Sequence, residues 1–95
     1  MVAVMLVVGG CNLGGPAGDA SGEEIYAQLC ARCHGIDLDG GVGPALGPGS
    51  NAAREGRDYM EFTILNGRGR MPSFSSLDDG QLRRLVDYLL EVQAR

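Results

Sequence analysis

The most constraining feature of this 95-residue chain is the heptapeptide LCARCHG at residues 29–35. It contains two of the three cysteines, Cys30 and Cys33, and the only histidine, His34. The side chains that bind metals, form disulfides or bond covalently to a cofactor are therefore concentrated in one short segment. The chain must fold so that this segment meets whatever the three side chains bind.

The order and spacing of these residues match the attachment motif of c-type haem, Cys-x-x-Cys-His. Two thiols three residues apart at the end of a helix lie on one face, where each can form a thioether with one of two vinyl groups on the porphyrin. The adjacent His34 then has its imidazole beneath the ring, where a nitrogen can bind iron. The sequence therefore predicts one covalent haem c held by Cys30, Cys33 and His34.

Three other kinds of site use some of the same residues. A thioredoxin-like dithiol requires the C-x-x-C pair between a strand and a helix, whereas here the pair follows a helical pattern. A structural zinc site needs four ligands, and this segment supplies three. A disulfide between Cys30 and Cys33 would close so small a loop that it would stabilise the fold little.

Composition also indicates a core that side chains alone do not fill. The chain contains 16 glycines, three Tyr, two Phe and no Trp. Glycine adds backbone entropy that folding must overcome, and a domain this small often depends on a disulfide, a metal or a cofactor. The formal net charge is −4, all 8 basic residues are Arg, and no basic run is present, which argues against nucleic-acid binding.

The first twenty residues differ from the rest of the chain. Residues 1–10 resemble an export signal, although their apolar run is far shorter than the ~20 residues needed to span a bilayer. Cys11 follows two glycines, as in a bacterial lipoprotein signal, which predicts lipidation of Cys11 and attachment to a membrane. Residues 11–20 are rich in Gly and are interpreted as a flexible tether that leads to a folded domain at 21–95.

Two helices have clear starting signals. The first begins at a predicted capping box, formed by Ser21 and Glu24, and carries Cys30 into the core. The last begins at Asp78, with Gln81 three residues later. Apolar residues at helical spacing follow it: Leu82, Leu85, Val86 and Leu89.

A further helix is predicted between these two, over residues 58–66. Asp58 is the expected start and Gly67 the expected stop. A long loop rich in Gly and Pro, residues 35–50, separates this helix from the first. Because no segment alternates as a strand does, the predicted fold class is all-α with long loops, and long loops in a small domain usually wrap something.

Iron bound by one histidine has a second axial position, and no second His is available. Met60 lies within the second predicted helix and is interpreted as core packing. Met71 lies in the loop NGRGRMPSF at residues 66–74, where two glycines permit close backbone approach. The sequence therefore predicts Met71 as the second iron ligand.

These motifs together resemble the class I, small bacterial cytochromes c, over nearly all of residues 21–95. Gly43-Pro44-Ala45-Leu46 matches the G-P-x-L segment of that family, and Met71-Pro72 matches its methionine loop. In the family the proline carbonyl accepts a hydrogen bond from the axial histidine. The resemblance therefore implies that the carbonyl of Pro44 faces His34.

The resemblance also implies how the first and last helices meet. Gly22 and Tyr26 stand where the family has a small residue and an aromatic residue in its first helix. That helix crosses the last one at these positions, so Gly22 and Tyr26 are expected to contact Leu85 and Tyr88. The implied architecture is a cytochrome c-like fold, with three main helices and long loops wrapped around one covalent haem.

The function implied by the resemblance is that of a single-electron carrier with His34 and Met71 as axial ligands, and not that of an enzyme. It would act as a tethered shuttle or relay subunit in a respiratory or photosynthetic chain, on the extracytoplasmic (periplasmic) side of a membrane. Expected partners are redox proteins such as a quinol-oxidising complex, a terminal oxidase or a reaction centre. The alternative is a haem-based gas sensor or enzyme with a displaceable sixth ligand.

Three arginines are candidates to pair with the haem propionates, because a guanidinium holds a carboxylate through two parallel hydrogen bonds. For each of them, a solvated side chain is the competing interpretation. They are Arg57, Arg68 and Arg70.

Overall fold

The computed structural model describes residues 15–95. The predicted signal segment, residues 1–10, and Cys11 lie outside the described residues. Within residues 15–95 the ordered elements are helices, and the only strand-like pairing is an isolated bridge between Arg68 and Met71. The elements are α1 (Gly22–Leu29), α2 (Ala31–His34), a 3-10 turn (Ala52–Arg54), α3 (Arg57–Asn66) and α4 (Asp79–Gln93).

The first and last helices begin at capping boxes, as predicted. In α1 the Ser21 hydroxyl accepts from the amide of Glu24 at 3.1 Å, and the Glu24 carboxylate accepts from the amide of Ser21 at 2.8 Å. Asp78 and Gln81 make the same reciprocal pair at α4, with distances of 2.7 and 2.9 Å. These bonds satisfy backbone donors that have no partner inside a helix, so they fix where each helix starts.

The start of α3 differs from the prediction. The helix begins at Arg57, one residue earlier than expected, and its N-cap is Gly56 rather than Asp58. Gly56 has φ +89°, a conformation that is costly for other residues, and this turn sends the chain into the helix. Asp58 instead lies in the first turn, where its negative charge is favourable near the positive end of the helix dipole. The end of α3 is as predicted, at Asn66 with Gly67 as the C-cap.

The crossing of α1 and α4 depends on the missing side chain of Gly22. A Cβ at this position would lie 2.0 Å from the carbonyl oxygen of Arg84 and 2.8 Å from the Cβ of Tyr88. One turn further along α1, the ring of Tyr26 packs against that of Tyr88 with centroids 5.8 Å apart and planes tilted by 50°. The contact of Gly22 and Tyr26 with Tyr88 that the resemblance implied is therefore present, and Leu85, on the same helix, is completely buried.

The core lies between α4 and the other elements. The apolar positions of α4 are buried, as their spacing predicted, and Met60 and Ile64 bury one side of α3 against them. Met60 is 6% exposed and therefore packs in the core, as interpreted from the sequence. The opposite side of α3 carries Phe62, which is 65% exposed.

Residues 16–20, here termed the N-terminal strap, are hydrogen-bonded to side chains of α4. The Gln81 amide donates to carbonyls at the start of the strap, and the Arg84 guanidinium donates to carbonyls near its end. The four bonds are Gln81 Nε2 to Pro16 O at 3.3 Å and to Ala17 O at 3.1 Å, Arg84 Nη2 to Gly18 O at 2.7 Å, and Arg84 Nε to Ala20 O at 2.8 Å. The interpretation of residues 11–20 as a flexible tether stays a prediction.

Among residues 15–95, none of the helices has the length and apolar character required to cross a bilayer.

Candidate functional site

The two motif cysteines lie where α1 gives way to the short helix α2. Cys30 is the C-cap of α1 and the N-cap of α2, and its amide donates to the carbonyl of Tyr26 at 2.9 Å. The amides of Cys33 and His34 both donate to the carbonyl of Cys30, at 3.1 and 3.0 Å. This tight turn holds the two cysteines one helical turn apart, on the same side of the chain.

Both thiols are free and half-buried. Burial first, and the nearby Cys33 second, raise the pKa of the Cys30 thiol to about 12, so this thiol is neutral at neutral pH. Both sulfur atoms are free and lie on residues that are partly accessible.

His34 is held in one tautomer by a backbone carbonyl. Its Nδ1 lies 2.7 Å from the carbonyl oxygen of Pro44. Because a carbonyl can only accept, Nδ1 carries the proton, and in the neutral imidazole Nε2 therefore keeps its lone pair. The imidazole is 8% exposed, so this hydrogen bond compensates for removing a polar ring from water. The histidine thus has one nitrogen free to bind a metal, with its ring orientation fixed by the other.

A glycine allows the imidazole to lie against the loop. A Cβ on Gly43 would be 2.9 Å from Cε1 of His34 and 3.1 Å from its Nδ1, so a larger residue would displace the ring. In the sequence, Gly43 stands out only as the first residue of the G-P-x-L segment. The reason for a glycine here is tertiary contact, and the motif spacing alone carries no sign of it.

The loop between the histidine and Pro44 is folded back onto the motif. The amide of Gly40 donates to the carbonyl of His34 at 2.8 Å, and the amide of Gly43 donates to that of Cys33 at 2.7 Å. At its start, Gly35 has φ +86° and turns the chain out of α2. The backbone of the loop is therefore fixed to the same turn that carries the cysteines and the histidine.

Met71 lies on a tight hairpin rather than on a helix. The amides and carbonyls of Arg68 and Met71 pair mutually, at 3.1 and 2.9 Å, across a two-residue turn that begins with Gly69 at φ +56°. Gly67, at φ +77°, allows the backbone of Met71 to lie close to it. A Cβ at Gly67 would be 2.7 Å from the carbonyl oxygen of Met71. Met71 itself is half-buried and borders the same hydrophobic core as Cys30.

The three candidate propionate partners have different surroundings. Arg57 forms ion pairs with Asp87 of α4 and with Glu61 on its own helix, and the hydrogen bond to Asp87 raises the pKa of its guanidinium. Arg68 donates to the hydroxyl of Tyr59. Arg70, at the tip of the hairpin, is exposed. Arg57 is thus already paired with carboxylates of the chain itself.

Two surface cavities lie away from the motif. One of about 520 Å³ is bounded by the N-terminal turn of α1 and by α4, and another of about 270 Å³ lies between Tyr26, Tyr88 and Ile36. Cys30, Cys33, His34 and Met71 line neither cavity. Several half-buried residues pack against the buried core, among them Leu29, Cys30, Leu46, Leu65, Met71 and Phe74.

Comparison with known proteins identifies this arrangement. Residues 17–89 match the family model described as cytochrome C oxidase, cbb3-type, subunit III. The chain belongs to the cytochrome c family.

Individual relatives agree with this assignment. Cytochrome c-551 of Bacillus subtilis (strain 168) is 39% identical over 72 residues, which cover 76% of this chain and 62% of that protein. The dihydro-heme d1 dehydrogenase of Pseudomonas aeruginosa is 40% identical over 82 residues, which cover 83% of this chain but 16% of that protein. Among solved structures, the c-type cytochrome NirC is 38% identical with a TM-score of 0.61, over 74% of this chain and 85% of that one. This cytochrome c therefore spans about three fifths or less of the curated relatives named here.

The residues of this cytochrome c fit the haem c of its family. The two free thiols of Cys30 and Cys33 suit thioether attachment to a porphyrin, and the imidazole of His34, whose Nδ1 is bonded to a carbonyl, leaves Nε2 for its iron. The fold class predicted from the sequence is confirmed, and membership of the cytochrome c family implies one covalently bound haem c.

Proposed function

We propose that this cytochrome c carries single electrons with His34 and Met71 as the two axial ligands of its haem. The observation that carries the proposal is the 2.7 Å hydrogen bond from Nδ1 of His34 to the carbonyl of Pro44. This bond leaves the lone pair of Nε2 available to bind iron. When bound, the haem supplies one reversible Fe(III)/Fe(II) step. The chain's residues attach the ring, fix its ligands and shield it from water.

The two ligand side chains act in different directions on the iron. The Pro44 carbonyl polarises the imidazole of His34 and so increases its basicity, which favours Fe(III). The thioether of Met71 is a soft ligand that favours the reduced state and raises the potential relative to a bis-histidine site. With both positions filled, little rearrangement accompanies electron transfer, and we infer a carrier of moderately high potential.

The ligand role of Met71 is tested by the near-infrared absorption of the oxidised holoprotein. We expect a methionine-to-iron charge-transfer band in the unmodified protein and its loss in Met71→Ala, because no sulfur then reaches the iron. Met60→Leu is the matched control, since Met60 is 6% exposed within the core and should not affect the band. A band that persists in Met71→Ala would show that another group binds the iron.

The same material distinguishes the alternative function. A sensor or enzyme with an open haem face would bind carbon monoxide rapidly in the reduced, unmodified protein. A filled position predicts slow binding in the unmodified protein and fast binding in Met71→Ala. Rapid binding in both would favour the sensor or enzyme over the carrier.

Covalent attachment through Cys30 and Cys33 is tested by mass spectrometry of the native protein. Expression beside a working haem-maturation apparatus should give a coloured protein with the added mass of one haem. The variant Cys30→Ala should retain at most one thioether, whereas Cys11→Ala should retain both. A compact, colourless product would contradict the attachment proposal.

We further propose that lipidation of Cys11 attaches the domain to the extracytoplasmic face of a membrane, where it shuttles electrons or relays them within a complex. The candidate partners are a quinol-oxidising complex, a terminal oxidase and a reaction centre. The support for a fixed place in a larger assembly is that one relative contains such a domain in 16% of its length, within a protein named as a dehydrogenase. Intact mass reports acylation, and co-purification with a membrane complex after detergent extraction separates relay subunit from shuttle.

A further inference from the structure

Tyr26 makes a contact that helix packing does not require. Its side chain is 1% exposed, and its hydroxyl donates to the carbonyl oxygen of Gly35 at 2.6 Å. Gly35 is nine residues away in sequence and directly follows His34. The hydroxyl of α1 therefore reaches past the cysteine motif to the first residue of the loop that closes over the histidine.

The Gly35 carbonyl is an anchor point for that loop. It also accepts from the amide of Leu38 at 3.1 Å, so two donors hold one oxygen. Leu38 has φ +61°, which is unusual for a residue with a side chain, and is 3% exposed. Its carbonyl in turn accepts from the amides of Leu46 and Gly47, both at 3.0 Å. The hydrogen bonds thus run from Tyr26 through Gly35 and Leu38 to the segment that contains Pro44.

We propose that Tyr26 is a positioning residue for the axial histidine: its hydroxyl fixes the loop of residues 35–47 and thereby holds the Pro44 carbonyl against Nδ1 of His34. This proposal rests on the proposed ligation of iron by His34. It concerns the hydroxyl alone, because the ring of Tyr26 has a separate contact with Tyr88.

The chemistry of a buried hydroxyl supports this role. A phenylalanine would fill the same space beside Tyr88, and burying a hydroxyl costs free energy unless it is hydrogen-bonded. Burial is also the main cause that raises the pKa of Tyr26 well above its ordinary value, so the group remains a donor at neutral and moderately alkaline pH. Gly35 is therefore held by a donor that does not titrate under ordinary conditions.

Loss of the hydroxyl should weaken the hold on His34 without removing any iron ligand. A looser loop lengthens or opens the bond from Nδ1 to Pro44 for part of the time. The Nδ1 proton then exchanges faster with solvent. The imidazole also becomes less basic, so Fe(III) is less favoured and the reduction potential rises.

The test compares Tyr26→Phe with Tyr88→Phe in the haem-loaded protein. Both variants keep the ring pair and lose one hydroxyl, and within residues 15–95 the Tyr88 hydroxyl has no side-chain hydrogen bond. We expect exchange of the His34 Nδ1 proton, followed by NMR, to be up to about tenfold faster in Tyr26→Phe, as the loss of one hydrogen bond allows. We also expect its potential to be higher, with both quantities unchanged in Tyr88→Phe.

A merely structural role would lower the melting temperature of Tyr26→Phe while leaving the exchange rate and the potential at their original values, which would overturn the proposal. The NMR shifts of the His34 ring in the unmodified protein report separately whether it binds iron. Absence of those iron-induced shifts would reject the proposed ligation and, with it, the role of Tyr26. Their presence, with equal behaviour of the two variants, would reject the role of Tyr26 alone.

Discussion

At the scale of single residues, the site depends on groups whose role is set by close tertiary contact. Gly22 and Gly43 are needed because another chain segment occupies the space of a Cβ, either the carbonyl of Arg84 or the ring of His34. Neither is required by an unusual backbone angle. The first contact sets the helix crossing that carries the motif, and the second sets the place of the imidazole.

Replacing Gly22 by alanine should destabilise the protein by about 3 kcal/mol, because the new methyl group would clash with backbone atoms that cannot move independently. A Cβ there would lie 2.0 Å from the Arg84 oxygen. Gly18→Ala is the control, since a Cβ at Gly18 meets nothing within 4 Å. Urea unfolding of the holoprotein measures both, and equal stabilities would contradict the close-contact argument.

The raised pKa values of two tyrosines predict how stability depends on alkaline pH. The pKa of Tyr26 is raised in the fold, mainly by burial, and that of Tyr88 is raised for the same main reason. Above about pH 10, the ordinary tyrosine value, the unfolded chain loses protons that the folded chain retains. The free energy of unfolding should therefore be unaffected by these groups below pH 10 and should fall as the pH rises beyond it.

Urea titrations across this pH range measure the free energy of unfolding. It should decline less steeply in Tyr26→Phe than in the unmodified protein, and part of the decline that remains should be due to Tyr88. A decline of equal steepness in Tyr26→Phe would show that Tyr26 ionises in the folded state as readily as in the unfolded state.

At the scale of elements, the helix starts marked by side-chain caps were predictable, and the start marked by backbone conformation was not. A capping box involves only four consecutive residues, and both helices that have one start where the sequence predicts. The start of α3 depends on Gly56, whose positive φ is not distinguishable from sequence in a chain with so many glycines. The apolar residues of α3 follow one another too closely in the sequence to define one helix face. Only packing separates buried Met60 and Ile64 from exposed Phe62.

Removal of the α4 cap should weaken the helix at its first turn. Asp78→Ala loses the side-chain acceptor of the Gln81 amide, and we expect a loss of about 1 kcal/mol in the free energy of unfolding. Asp79→Ala removes the same charge at the neighbouring position without removing the cap bond, so its effect should be smaller. Chemical unfolding compares the two, and an equal loss would attribute the effect to charge rather than to capping.

At the scale of the whole molecule, α4 organises segments from both ends of the chain. It packs against α1, is linked to α3 through the Arg57–Asp87 pair, and holds the N-terminal strap through Gln81 and Arg84. The strap was interpreted as flexible because its composition is that of a linker. Its backbone carbonyls are nevertheless bonded to side chains more than sixty residues away, which composition cannot indicate.

Release of the strap should leave the haem site intact while exposing the strap itself. In Arg84→Met the two guanidinium bonds to Gly18 and Ala20 are lost, although the aliphatic part of the side chain is retained. We expect limited proteolysis within residues 16–20 to become faster, with an unchanged haem spectrum. Arg83→Met is the control, because Arg83 is the preceding residue of the same helix and its side chain is exposed. Equal cleavage rates in the two variants would show that Arg84 does not hold the strap.

The sequence by itself determined the parts of this cytochrome c that depend on neighbours in the chain. The Cys30–Cys33–His34 spacing specifies the attachment chemistry, and the capping boxes specify two helix starts, because each involves residues within four positions of one another. Only the tertiary structure decided the hydroxyl that fixes Gly35 and the surface that holds the strap. Those contacts join residues nine and more than sixty positions apart, and their geometry exists only once the helices have packed.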